Sequence, residues 1–94
     1  MELDKSSLVV STAGRDKGQR FFVIDADAQY LFLADGKSRT LEKPKRKKRK
    51  HVQAVLLTKS RIADQIRNGE KVLNSELRKE LAILGQKQSQ NQGG

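Results

Sequence analysis

Between Leu8 and Leu57 the apolar residues fall in short runs separated by turn-forming residues, and from Ser60 onward they recur every three or four positions. The first rhythm is that of a small all-β domain. It predicts strands over about 7–12, 19–26, 29–34, 38–42 and 51–56. Asp35-Gly36, between Tyr30-Leu31-Phe32-Leu33 and Ser38-Arg39-Thr40-Leu41, has the residues of a two-residue hairpin turn, because both central positions favour positive φ. Asp25-Ala26-Asp27-Ala28 is a looser connection. Pro44 cannot donate to a sheet ladder, so it is expected to end the fourth strand and release residues 43–50 outward as a basic loop. Five short antiparallel strands of this kind can curl into an SH3-like barrel, which limits exposed edges.

The second rhythm predicts helices. Ser60 is a plausible N-cap before Ile62, Ala63 and Ile66, with Asn68-Gly69 as the stop. Asn74-Ser75 can cap a second helix in which Leu77, Leu81 and Leu84 share a face and Gly85 supplies the exit. Both helices are short and need a surface for their apolar stripes, either the barrel or a partner protein. Gln86 to Gly94, rich in Gln, Ser, Asn and Gly, is expected to be disordered. The resulting division is a mainly β domain over 1–57, a helical appendix over 58–85 and a tail over 86–94.

Composition narrows the chemistry. The 94 residues, 35% apolar and with four aromatic rings, permit one small core. No window approaches a membrane span and no basic-then-apolar leader opens the chain, so the expectation is a cytoplasmic protein with no membrane partner. The absence of cysteine rules out disulfides, thiolate metal sites and cysteine nucleophiles. His51 is the lone histidine, and Ser11 and Thr12 stand in no arrangement that would make them nucleophiles. Asp25 and Asp27 read as turn residues rather than as metal ligands. No enzymatic activity and no cofactor are expected.

Charge adds more. The chain carries a net +9, and the stretch from Lys37 to Lys50 holds nine cations against one carboxylate, Glu42. Such a block repels itself and must stand in solvent or meet an anion. Pro44-Lys45-Arg46-Lys47-Lys48-Arg49-Lys50 also has the composition of a nuclear localisation signal. Tyr30, Phe21, Phe22 and Phe32 could stack on unpaired bases, but with so few rings in the chain most are needed for the core, and at most one is left for that role.

One further segment is unusual: Ala13-Gly14-Arg15-Asp16-Lys17-Gly18, two glycines around a basic tip, set between β-branched and aromatic residues. It is not a nucleotide-binding loop, which needs Gly-x-x-x-x-Gly-Lys-Ser/Thr and a following helix. The glycines allow positive φ and close approach of another chain. Taken with Phe22-Val23-Ile24, Ala34-Asp35-Gly36-Lys37 and Glu42-Lys43-Pro44-Lys45, the segment resembles the KOW motif. The branch it looks like is typified by the archaeal and eukaryotic large-subunit ribosomal protein fourteen. The resemblance covers about residues 8–57 and departs from the broader KOW pattern at Phe21, where many members have a third glycine.

That resemblance implies an SH3-like barrel and a ribosomal or ribosome-associated protein that binds structured RNA, with large-subunit rRNA as its partner. Gly14, Arg15, Lys17, Gly18 and Arg20 would approach the phosphate backbone at the turn. Lys37, Arg39, Lys43, Lys45, Arg46, Lys47, Lys48, Arg49 and Lys50 would neutralise neighbouring phosphates. The C-terminal helices could meet a neighbouring ribosomal protein. The alternative is a KOW-type protein-interaction module of a transcription or translation factor.

Overall fold

The computed structural model describes residues 3–56 and 59–93, with side chains as far as residue 85. Strands β1 (Leu8–Ser11), β2 (Arg20–Ala26), β3 (Tyr30–Ala34), β4 (Lys45–Lys48) and β5 (Val52–Ala54) are followed by helices α1 (Arg61–Arg67) and α2 (Asn74–Gly93). The strands form one sheet in the order β4-β3-β2-β1-β5, every pair antiparallel.

β4 and β5 are the two edges of this sheet, yet only the 3-10 turn Arg49–His51 joins them. Laid flat, five strands would hold their edges about 19 Å apart. Four residue steps reach at most about 14 Å. The sheet therefore curls, and the chain is a mainly β, barrel-like domain with two C-terminal helices. A bulge between Val23 and Asp25 bends β2 in support of this curl. The connecting turn is pinned by Thr12 N–H to the His51 carbonyl at 2.9 Å and Arg49 N–H to the Gln29 carbonyl at 3.1 Å.

Alternation along the strands serves two cores. Val9, Phe21, Val23, Leu31 and Leu33 fill the inside of the curl. Leu8, Phe22 and Ala34, on the outer face, are buried beneath Ile62, Ala63 and Ile66 of α1 and Leu77 of α2. Burial on both faces explains why Phe21-Phe22-Val23-Ile24 is an unbroken apolar run. It also shows that the helices complete a core with the barrel.

α1 starts as its sequence requires, with Ser60 Oγ accepting from Ala63 N–H at 3.1 Å, and Gly69 at φ +74° follows its end. α2 differs from expectation. Gly85 lies within it rather than ending it. Asn74 turns outward from its own helix: Oδ1 accepts from Leu41 N–H and Nδ2 donates to Glu42 Oε1, both at 2.9 Å. Over 86–93, where a disordered tail is expected, the backbone belongs to α2, and the domain boundary expected at 57/58 falls outside the described residues.

The expected strand over 38–42 is absent. Asp35 gathers that segment into a loop, its Oδ1 accepting from the N–H groups of Lys37 and Arg39 at 2.9 Å and its Oδ2 from Ser38 Oγ at 2.9 Å. Those amides are thereby lost to a ladder. Gly36 is at φ +77°, and a Cβ there would collide with the Asn74 carbonyl, so this glycine admits α2 rather than turning a hairpin. The fourth strand is instead the basic run itself. Lys45, Arg46, Lys47 and Lys48 pair with Leu33, Phe32, Leu31 and Tyr30 of β3. Pro44 precedes the strand rather than ending one, and the basic loop expected over 43–50 is largely ordered sheet and turn.

Candidate nucleic-acid interface

β4 can be a strand because its period of two sorts its cations. Lys45 and Lys47 share the face of Leu33 and Leu31, toward the inside of the curl, whereas Arg46 and Lys48 take the outer face. An inward lysine needs an acceptor, since a buried unpaired charge is very costly. Asp16, the single acid of the glycine turn, supplies it.

Lys47 is buried, and its Nζ donates at 2.6 Å both to Asp16 Oδ1 and to the Ala13 carbonyl. Ser11 Oγ lies 2.7 Å from the same Oδ1 and 3.0 Å from the Ala13 carbonyl. Lys45 Nζ stands 2.8 Å from Oδ2 as an ion pair whose direction falls outside hydrogen-bond geometry. Burial raises the Asp16 pKa, but the two ammonium groups and the hydroxyl outweigh it. The carboxyl is held far below the usual carboxylate range.

The buried Asp16 fixes how the turn presents its neighbours. Arg15 and Lys17, on either side of it, are exposed. Gly14 and Gly18 take φ +85° and +89°, the positive values expected. A Cβ on Gly18 would meet nothing within 4 Å, so that glycine serves backbone conformation. The amides of Lys17, Gly18 and Gln19 donate to the carbonyls of Gly14, Ser11 and Asp16 at 3.2, 2.8 and 2.9 Å. These three are thus spent inside the turn.

The remaining candidates divide by placement. Arg15 from the turn, Arg39 from the Asp35 loop and Lys45 from β4 line one open cleft of about 310 Å³. Arg46 lies over the Tyr30 ring, 4.5 Å from its centroid, with Lys48 beside it on the outer face. Lys17, Lys37, Lys43, Lys48 and Lys50 are exposed, and Arg20 is half-buried. Arg49 is otherwise employed. Its Nε and Nη2 donate to the Asp27 carbonyl at 3.0 and 2.8 Å, and its Nη1 to the Leu3 carbonyl at 2.6 Å. Lys47 and Arg49 therefore hold the fold, and the picture of a uniform flexible run gives way to an ordered strand.

Asp27 Oδ1 accepts from Gln29 N–H at 2.9 Å and Tyr30 N–H at 2.7 Å, the turn geometry expected of it. These bonds hold its carboxyl below the ordinary value. Among the described residues no group of three His, Cys, Asp or Glu side chains could hold a metal ion. Sequence reasoning overlooked Asp16 and the Tyr30–Arg46 stack. An acid flanked by two cations in an otherwise basic turn was the available signal for the first; the second needs the strand register. The chain matches no protein-family model and no curated protein.

Proposed function

We propose that this protein is a non-enzymatic, KOW-type module that binds structured RNA, acting in the cytoplasm in association with the ribosome, with large-subunit rRNA its first candidate partner. The observation that carries the reading is the cleft where Arg15, Arg39 and Lys45 converge from three separate segments. Guanidinium groups suit phosphate because their fork can bond two oxygens at once. Asp16, ion-paired to Lys45 and Lys47, offers little repulsion to an incoming phosphate. On the outer face, Arg46 lies over the Tyr30 ring, where its other side can meet an unpaired base. Recognition is by shape and charge, with phosphates setting the register.

Binding of a structured rRNA fragment, measured across salt concentrations, tests this reading. Affinity should fall steeply with salt, by about 0.7 to 0.9 log units per log unit of salt for each phosphate contacted. Arg15→Gln and Arg39→Gln should each reduce that slope by about one contact. Affinity that is level with salt, or unchanged in both variants, overturns the reading. Sedimentation of a tagged copy with large subunits tests the ribosomal assignment separately.

A further inference from the structure

A second cleft, of about 330 Å³, lies on the other side of Gln19, which lines both clefts. The Asp35 loop runs between them, giving Arg39 to the first and Lys37 to the second. The other cations of the second cleft are Arg20, at the start of β2, and Arg78, on α2. Its single carboxylate is Asp35, whose oxygens already accept from Lys37 N–H, Arg39 N–H and Ser38 Oγ.

Two details mark this cleft as built. Arg78 Nη1 donates at 2.6 Å to the carbonyl of Gly36, the residue that admits α2, so this guanidinium is anchored at the rim, and among the described residues its other donors make no hydrogen bond. Arg20 Nε is buried and has no hydrogen-bond partner among the described residues. A buried N–H of a charged group is unfavourable until an acceptor reaches it.

We propose that the second cleft is a phosphate site, taking backbone phosphates of the same RNA that crosses the first cleft. α2 is then part of the RNA interface through Arg78, although the helical segment, residues 58–85, carries little of the chain's excess positive charge. The inference rests on the RNA-binding reading above and extends it by a site.

The test follows the Arg Nε–H resonances of the full-length protein during titration with a structured rRNA fragment and, separately, with inorganic phosphate. It is paired with salt-dependent affinities of Lys37→Gln, Arg20→Gln and Arg15→Gln. Lys37 is exposed, so its variant leaves folding untouched. The expected result is a saturable RNA-induced shift of the Arg20 resonance, with Lys37→Gln and Arg20→Gln each lowering the salt slope by about 0.7 to 0.9. If Arg15→Gln lowers the slope while Lys37→Gln and Arg20→Gln leave it unchanged and the Arg20 resonance is still, the second site is refuted and the RNA reading stands. A shift with inorganic phosphate alone, and none with RNA, makes the cleft a small-anion site and overturns the assignment. If the parent protein binds no RNA at all, both readings fall.

Discussion

Lys47 and Asp16 meet at 2.6 Å across thirty-one positions of the chain, and this buried contact joins the edge strand to the glycine turn. A cation from the most basic segment is thereby used to hold the turn that presents Arg15 and Lys17. The same lysine also bonds the Ala13 carbonyl, so strand and turn are tied at two points.

Removing this cation should be costly to stability. Lys47→Met keeps the length of the side chain but leaves Asp16 with the Ser11 hydroxyl and, among the described cations, the more exposed Lys45 ammonium. Urea denaturation should show a loss of about 3 kcal/mol, as when a buried pair is broken from one side. Lys45→Met should cost about 1 kcal/mol, nearer to a surface pair. Equal losses would mean that the two lysines are interchangeable supports.

Acid should act through Asp16. Its folded-state pKa is depressed below the unfolded value, so its contribution to stability is present at neutral pH and persists down to about pH 4. Below that, the unfolded chain binds the proton first and stability declines as pH falls toward the folded pKa. Thermal melts from pH 7 to pH 2 should show this decline. In Asp16→Asn the acid limb should be shallower, on a lower neutral baseline. A parallel acid limb in the variant would place the effect in other carboxylates.

Two glycines with similar φ should respond differently to alanine. Gly18→Ala meets no neighbour and should cost about 1 kcal/mol from left-handed backbone strain alone. Gly36→Ala carries the same strain and also drives a Cβ against the Asn74 backbone, with Arg78 Cγ 3.2 Å away. It should cost roughly twice as much or more, and hydrogen exchange should rise at the start of α2. Equal melting temperatures for the two variants would contradict this account of α2 docking.

The salt dependence of RNA binding should separate outward from inward cations of β4. Arg46→Gln combined with Lys48→Gln should lower the slope by about 1.4 to 1.8, two contacts' worth. Lys47→Met, under conditions where it is folded, should leave the slope as it was. A slope that drops in Lys47→Met to the same extent would mean that the buried lysine reaches RNA after all.

Much of this was legible locally. Leu8-Val9-Val10, Phe21-Phe22-Val23 and Tyr30-Leu31-Phe32-Leu33 form strands where their β-branched and aromatic residues lead one to expect them. Ser60 caps α1, and Gly14 and Gly18 take positive φ, because caps and turns depend on residues within a few positions. The cations Arg15, Arg39 and Lys45 could be named as candidates from charge alone. Their meeting in one cleft could not.

What the sequence by itself determined was the barrel's apolar strands, the capped first helix, the conformation of the glycine turn and the excess of positive charge, since each follows from neighbouring side chains or from a sum over them. What only the tertiary structure decided was the fate of that charge. Lys45–Lys48 became a strand because β3 offered a free edge and Asp16 lay where an inward lysine ends. Residues 38–42 lost their strand because the Asp35 carboxylate took the Arg39 amide and the Ser38 hydroxyl while Asn74 Oδ1 took the Leu41 amide, and Gly36 was kept small by a helix thirty-eight positions further along. A lysine's role, in solvent or buried against a carboxylate, depends on the desolvation and pairing that its distant neighbours impose, and those neighbours are set by the fold.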